Sequence, residues 1–300
     1  MATAARPIDA TVDAPVVIAE PTSAKIVRLL SRTPVYLVLA FIGLLWLVPT
    51  IGLFFTSLLP SSIVGTTGWW EVVSDPSIAT LENYRGIFDN QAITSAIWTT
   101  LWISLGATFL PIFVASLAAY AFAWLEFPGR DLLFLVVVAL LVVPIQMALI
   151  PIFSLYNDLG LFDTILGLVL FHTAFGLPFA IFLLRNFFIG IPRDLLEAAR
   201  IDGASEFRIF FRVIIPLGLP AIASLAIFQF LWVWNDLLVA LTFARDTQPI
   251  TVAIFSQMRQ FSSNIELIAP AAFISLAIPL VVFFAFQRYF VEGLLAGSVK

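Results

Sequence analysis

The sequence has 300 residues, of which 61% are hydrophobic and only 11% charged, with a net charge of −4. Soluble domains carry roughly 25% charged residues, so the composition excludes a soluble protein. Cysteine is absent and histidine occurs once. This excludes disulfides, thiolate metal sites and cysteine nucleophiles, and it argues against a histidine-rich metal centre.

Apolar runs recur along the chain, and six of them lack Asp, Glu, Lys and Arg over about 20 residues or more, which is enough to cross a bilayer. Continuous apolar runs lack the alternation of a membrane barrel strand, so we predict helices. We expect the fifth span to continue past Asp236 to about Leu241. The predicted spans are residues 35–59, 96–125, 132–156, 164–184, 213–235 and 267–287.

Basic residues set the expected orientation. With both termini in the cytoplasm, only Arg85, Arg245 and Arg259 of the 15 Lys and Arg residues lie outside, as the positive-inside rule requires. We therefore predict three parts. Residues 1–33 form a disordered or amphipathic cytoplasmic segment that is no cleavable signal, residues 34–294 form an all-α domain of six transmembrane helices, and residues 295–300 form a cytoplasmic tail.

The loop of residues 185–212 lies on the predicted cytoplasmic side and contains two predicted short helices. Pro192 and Arg200 suit the first and last turns of a helix over residues 192–202, and Gly203 suits a left-handed end. Ser205 is expected to cap a second helix over residues 206–212.

The first of these helices carries Glu197, Ala198 and Ala199. One carboxylate beside two small side chains allows a partner to approach closely and to pair with the carboxylate. Taken alone, such a triplet is also ordinary helix composition, so the residues by themselves leave both interpretations open.

The loop resembles the EAA loop of permease subunits of binding-protein-dependent ABC importers, which has Glu-Ala-Ala, three residues, Gly, nine residues and Ile-x-Leu-Pro. Here the pattern runs from Glu197 through Gly203 to Pro216, with Val213 in place of Ile and Ile215 in place of Leu. Further matches are similar to the second permease of maltose-type importers, and they are residues 118–121, 127–130, 234–236 and 287–290 with Gly293.

This resemblance implies a type I ABC importer permease fold in the plasma (inner) membrane of a prokaryote, with a cytoplasmic coupling helix. It also implies that tail 295–300 reaches the ATPase dimer interface. The implied partners are a second permease, two ATP-binding subunits and an external sugar-binding protein, besides membrane lipid and no nucleic acid. The residues implied to contact the ATPase are Glu197, Ala198, Ala199, Asp202 and Gly203.

No catalytic residue, metal or cofactor is expected in this chain. It has no Gly-x-x-x-x-Gly-Lys-Ser/Thr loop, and its only lysines are Lys25 and Lys300, so ATP and Mg must be bound by the separate ATPase.

Polar and aromatic residues in the outer part of the fifth span are candidates for a substrate path. Gln229, Trp232, Asn235 and Asp236 recur at helical spacing, and sugars are bound by aromatic faces together with hydrogen-bonding groups. The competing interpretation places the tryptophans in the interfacial belt and Asp236 at the outer surface. Gln146 is a further candidate, whereas His172 is interpreted as a hydrogen-bonded bundle residue.

The sequence thus favours a permease of an ATP-driven importer for a di- or oligosaccharide, and an α-glucoside is a guess. An ion-coupled secondary transporter or channel is the alternative, although Asp236 is the one ionisable residue near a predicted span interior. A membrane enzyme would need a cluster of carboxylates or histidines that the sequence lacks. The choice of sugar, and whether the partner permease is a homologue or a second copy, stay open.

Overall fold

A computed structural model describes residues 22–260 and 264–296, with side chains for residues 33–258 and 264–288. Within these ranges all regular structure is helical, which confirms the predicted all-α fold. Residues 1–21 and 297–300, which include most of the predicted N-terminal segment and tail, lie outside the described residues.

The α-helices of the described residues are numbered in chain order. They are α1 Thr22–Ser57, α2 Trp70–Ser74, α3 Glu82–Asp89, α4 Gln91–Trp124, α5 Arg130–Leu140, α6 Ile145–Leu159, α7 Ile165–Ile189, α8 Arg193–Ile201, α9 Glu206–Ile209, α10 Ile215–Trp234, α11 Leu238–Phe243, α12 Ile250–Gln260 and α13 Ile265–Ala296.

Five helices of the described residues are long and apolar enough to cross a membrane, or six if α5 and α6 count as one bent span. The five are Thr33–Ser57, Gln91–Trp124, Ile165–Ile189, Glu206–Trp234 and Ile265–Arg288. They correspond to the first, second, fourth, fifth and sixth predicted spans. The chain divides into two units, residues 1–51 and 52–300, and the packing described below belongs to the second.

The third predicted span is two helices instead of one. α5 and α6 meet at a bend of 98°, and the bend lies at Pro144, whose backbone is extended with ψ of 130°. Proline has no amide to donate and disfavours a helical conformation of the preceding residue, which favours a break at this position. The apolar composition of the run predicted a continuous helix, and the structure has a bend at this proline.

The core of the second unit lies between α4, α7 and α10. Gly106 of α4 allows close packing, because a Cβ at this position would lie 2.9 Å from a methyl of Val169 on α7. Gln229 Nε2 donates to the carbonyl of Ala107 at 3.0 Å, so a buried amide bonds α10 to α4.

The fifth span begins at α9 and passes through a π-helical turn, Phe210–Ile214, into α10. The amide of Ile215 donates to the carbonyl of Phe210, five residues back. A π turn widens the helix just before Pro216, where a regular turn would bring the proline ring against the preceding carbonyls.

The expected continuation of the fifth span past Asp236 is wrong. α10 ends at Trp234, and the carboxylate of Asp236 accepts hydrogen bonds from the amides of Val239 (3.3 Å) and Ala240 (3.0 Å). An aspartate that accepts from the first amides of a helix starts a new helix instead of continuing the old one. The new helix is α11.

Asp163 joins two distant loops of the second unit. Its backbone is left-handed, with φ of 57°, and its Oδ1 accepts from the amides of Arg245, Asp246 and Thr247 at 2.9 to 3.0 Å. The hydroxyl of Thr247 donates to the Asp163 carbonyl at 2.8 Å. The turn before α7 and the turn before α12 are therefore held together by the side chains of Asp163 and Thr247.

Candidate functional site

α8 is a short helix between the fourth and fifth spans, close to the predicted helix 192–202. Pro192 occupies the residue before its first turn, Asp194 lies in the first turn and Arg200 in the last. An acidic residue at the start and a basic residue at the end both complement the helix dipole. The sequence therefore stabilises this helix locally.

Gly203 ends α8 in the left-handed conformation predicted for it, with φ of 77°. The amide of Ala204 donates to the carbonyl of Ala199 at 3.0 Å, which is the hydrogen bond of a left-handed helix end. A Cβ at Gly203 would meet no atom within 4 Å. Glycine is favoured here by the backbone angle and not by crowding.

The two sides of α8 differ in burial. Leu196 is the one residue of α8 that is fully buried. Leu195, Ala198 and Ile201, spaced by three residues and so on one side of the helix, are exposed, and Ile201 is 86% exposed. We call these three residues the docking face. An exposed apolar face on a helix between spans is typical of a contact with another protein.

The predicted ATPase-contact residues lie on or beside this face. Glu197 pairs with Arg193 at 2.8 Å, and both side chains are more than half exposed, so a partner can compete for the carboxylate at little cost. Ala199 is half-buried against the core. The exposed members of the predicted set are Glu197, Ala198, Asp202 and Gly203.

The other side of α8 is bonded to two spans through one carboxylate. Arg200 donates from Nε to Glu206 Oε1 at 3.0 Å and from Nη2 to Oε2 at 3.3 Å, and the hydroxyl of Tyr120, near the end of α4, also donates to Oε2. The hydrogen bonds to Glu206 raise the pKa of the Arg200 guanidinium above its ordinary value. We call Tyr120, Arg200 and Glu206 the tether cluster.

The candidate substrate-path residues occupy different environments. Gln229 is buried, and its amide donates to the Ala107 carbonyl of α4. Trp232 is 41% exposed, and Asn235 is exposed and bonds back to the Leu231 carbonyl at 2.7 Å. Gln146 is exposed in the first turn of α6, just after the bend. Trp232, Asn235 and Gln146 therefore remain available to a ligand or a second protein.

The structure buries Trp234 and most of the Asp236 side chain, so neither is an exposed surface residue. Trp234 is 1% exposed and its indole Nε1 donates to the carbonyl of Ser275 on α13 at 2.9 Å. The Asp236 side chain is 13% exposed and lies 3.7 Å from Nε2 of buried His172, whose Nδ1 has no partner among the described residues. His172 meets Trp232 edge to face, with centroids 5.2 Å apart.

Sequence reasoning did not assign roles to Arg200, Glu206 or Tyr120 as a group. Tyr120 lies in segment 118–121, which contributed to the family resemblance, and this was the only available signal. Residues 86 positions apart can be paired only once the helices are placed.

The chain matches the family described as "Binding-protein-dependent transport system inner membrane component" over residues 112–295, more than half of its length. The chain belongs to this family. It is thus a multi-pass permease component of a binding-protein-dependent importer of the inner membrane. The matched region contains α8, the docking face and the tether cluster.

Two relatives are similar over most of the chain. The osmoprotective compounds uptake permease protein GgtD of Synechocystis is 48% identical over 275 residues, which is 90% of this chain and 92% of the relative. The alpha-glucoside transport system permease protein AglG of Rhizobium meliloti is 49% identical over 233 residues, which is 75% of this chain and 61% of the relative.

A solved structure shares the fold. A chain from a bacterial ABC transporter involved in the import of the acidic polysaccharide alginate superposes with a TM-score of 0.72 at 22% identity, covering 91% of this chain and 99% of that chain. The predicted ABC importer permease fold is confirmed by this likeness.

Proposed function

We propose that this chain is the transmembrane permease subunit of an ATP-driven importer for a di- or oligosaccharide of the α-glucoside class, and that it forms half of the translocation path. The observation that carries the proposal is the docking face, an exposed apolar side of a helix whose other side is bonded to the second and fifth spans. Family membership and the 49% identity to an alpha-glucoside permease support the same function.

The docking face contacts an ATP-hydrolysing subunit, with Glu197, Ala198, Ala199, Asp202 and Gly203 at the contact. Closure of two ATPase subunits on ATP can tilt membrane helices only through an element that does not bend, and a short capped helix meets that requirement. ATP and Mg are bound by those subunits, and this chain binds neither.

A second permease covers the bend between α5 and α6. At about 1.5 Å per residue, these helices of 11 and 15 residues are each shorter than the roughly 30 Å hydrocarbon core. Val142 at the bend is 82% exposed. Irregular backbone at membrane depth is tolerated only against protein or a water-filled cavity, so this surface supports a permease pair around a path.

The sugar passes beside Trp232, Asn235 and Gln146, which combine an aromatic face with amides that pair with hydroxyl groups. Gln229 and Asp236 do not contact the sugar but fix the position of the helix end that carries Trp232 and Asn235, because their polar atoms are bonded to α4 and α11. An external binding protein delivers the sugar to this side.

Purification of the tagged chain from gently solubilised membranes, followed by mass spectrometry, tests the proposal. We expect an ATPase with a phosphate loop and a second permease to co-purify. Ala198→Arg, which places a charged side chain on the docking face, should lose the ATPase and keep the permease.

The matched control is Ala92→Arg, the same substitution at an exposed residue of α4 on the predicted outer side. It should keep both partners. A chain that purifies alone, and that moves sugar in liposomes without ATP, would instead be the ion-coupled secondary transporter.

A further inference from the structure

We propose that the tether cluster is a positioning device that makes α8, the end of α4 and the start of the fifth span move as one body, so that sugar movement stays coupled to ATP hydrolysis. The inference rests on the proposed function and deepens it. It assigns a role in coupling to Tyr120, Arg200 and Glu206, none of which lies on the docking face.

The geometry brings three elements to one carboxylate. Arg200 belongs to the last turn of α8, Glu206 is the first residue of α9, and Tyr120 lies near the end of α4. Both carboxylate oxygens accept from the guanidinium, and one also accepts from the phenol. Charge-assisted and two-pronged hydrogen bonds are stronger and more directional than neutral ones.

Burial explains why this cluster is firmer than an ordinary surface ion pair. Arg200 and Glu206 have side chains 36% and 44% exposed, and such a pair alone contributes little. Tyr120, however, is buried, and its ring packs on Phe210 with centroids 5.5 Å apart. The phenol therefore fixes the carboxylate at the core, and the carboxylate in turn fixes the arginine.

Leu196 and Arg200 attach α8 to the core on the side of the helix opposite the docking face. Four residues apart, they lie on the same side of α8, where Leu196 enters the core and Arg200 reaches Glu206. The docking face lies on the other side. Leu196, half-buried Ala199 and the cluster therefore join α8 to the core, in addition to the chain itself, and pass a force on the docking face to the membrane helices.

The fifth span connects the tether cluster to the proposed sugar path. Glu206 begins a helix that runs through the π turn and α10 to Trp234, past Gln229 and Trp232. Tyr120 belongs to α4, which receives the Gln229 bond at Ala107. Both spans that leave the cluster thus meet again beside the proposed sugar path.

The test compares Tyr120→Phe with Tyr156→Phe in the assembled complex. Each substitution removes one phenol hydroxyl bonded within the protein, since Tyr156 donates to the Gly167 carbonyl at 2.9 Å, away from the cluster. Glu206→Gln, which removes the charge and keeps the shape, is a second variant. Two measurements are made: hydrogen exchange of the α8 and α9 amides, and the amount of sugar taken up per ATP hydrolysed.

We expect Tyr120→Phe and Glu206→Gln to assemble normally, to speed exchange across α8 and α9, and to lower sugar uptake per ATP by about fivefold or more. Tyr156→Phe should leave both measurements at the wild-type value. If hydrogen exchange of the α8 and α9 amides is unchanged in Tyr120→Phe, the claim that the tether cluster holds these helices is wrong. Faster exchange with an unchanged uptake ratio, or an equal loss in Tyr156→Phe, overturns its role in coupling.

The two claims fail separately. If the wild-type complex takes up no sugar with ATP, the proposed function is wrong, while the exchange measurement still decides whether the cluster holds α8.

Discussion

Arg200, in the last turn of α8, donates from its Nε to Oε1 of Glu206 at 3.0 Å, and so bonds α8 to the first residue of the fifth span. The two residues lie on separate helices, and the turn at Gly203 brings them together. We propose that α8 contacts the ATPase and that the fifth span lines the sugar path, and these two helices are directly bonded to each other.

The orientation of the chain can be measured directly, because it contains no cysteine. Ser61→Cys and Ser205→Cys each place one thiol at an exposed residue, on the predicted outer and cytoplasmic sides respectively. In right-side-out membrane vesicles, a membrane-impermeant maleimide should label Ser61→Cys at once and Ser205→Cys only after permeabilisation. The unsubstituted chain gives the background, and the opposite labelling pattern would invert the topology.

Gly203→Ala tests the end of α8. An alanine in the left-handed conformation costs about 1–2 kcal/mol, so hydrogen exchange in the last turn of α8 should speed up and sugar-stimulated ATP hydrolysis should fall. Gly203→Asn should lose less, since asparagine tolerates this conformation.

Gly65→Ala is the matched control, because a Cβ there also meets no atom within 4 Å and its φ is not positive. It should leave exchange in α8 unchanged. An equal effect of the two alanines would show that the left-handed angle of Gly203 is not what the helix end requires.

Trp232→Ala tests the sugar path. If the indole covers the apolar face of the sugar, its loss should raise the KM for uptake by about fivefold or more and leave ATP hydrolysis without sugar unchanged. Trp102→Ala removes an exposed indole from α4 and should not change the KM. Equal KM values for the two variants would place the sugar elsewhere.

We expect the stability of the protein to depend on pH through Asp163. Burial alone raises the pKa of this carboxyl, but hydrogen bonds from the amides of residues 245–247 and from Thr247 lower it below the ordinary 3.8. A group whose pKa is lower in the folded state stabilises it above the unfolded pKa, and this contribution is lost as the pH falls through the folded value. Unfolding in detergent should therefore become easier below about pH 4.

The variants Asp163→Asn and Asp163→Ala separate charge from hydrogen bonding. The Asn side chain can still accept the three amide hydrogen bonds with its one oxygen. Asp163→Asn should therefore remove only the pH-dependent part of the stability. Ala should lower the free energy of unfolding by about 1–2 kcal/mol at neutral pH. Denaturation midpoints at pH 7 and pH 3.5 measure both, and wild-type pH dependence in Asp163→Asn would contradict the assignment.

Much of the fold could be predicted from local signals. Charge-free apolar runs located the spans, and Pro192, Arg200 and Gly203 located α8 and its end, because hydrophobicity and capping act within a few residues. The break at Pro144 and the end of α10 before Asp236 were missed. In both cases one residue that removes or accepts a hydrogen bond overrode an apolar pattern that continued past it.

The tether cluster and the Asp163 bonds could not have been predicted in this way. Glu206 and Tyr120 are 86 residues apart, and Asp163 is 84 residues from Thr247. No helical spacing joins such pairs, and only the packing of the helices brings them within reach. The predicted ATPase contact was located through Glu197, Ala198 and Ala199, which are local to one helix, whereas Leu195 and Ile201 of the docking face were recognised only from their exposure.

We propose that ATP hydrolysed by partner subunits drives sugar through this chain and a second permease. The direct measurement is uptake of a labelled α-glucoside into liposomes that contain the purified complex, with binding protein on one side and ATP on the other. We expect uptake with ATP, none with a non-hydrolysable analogue, and no effect of collapsing proton and sodium gradients. Uptake driven by an ion gradient without ATP would contradict the account.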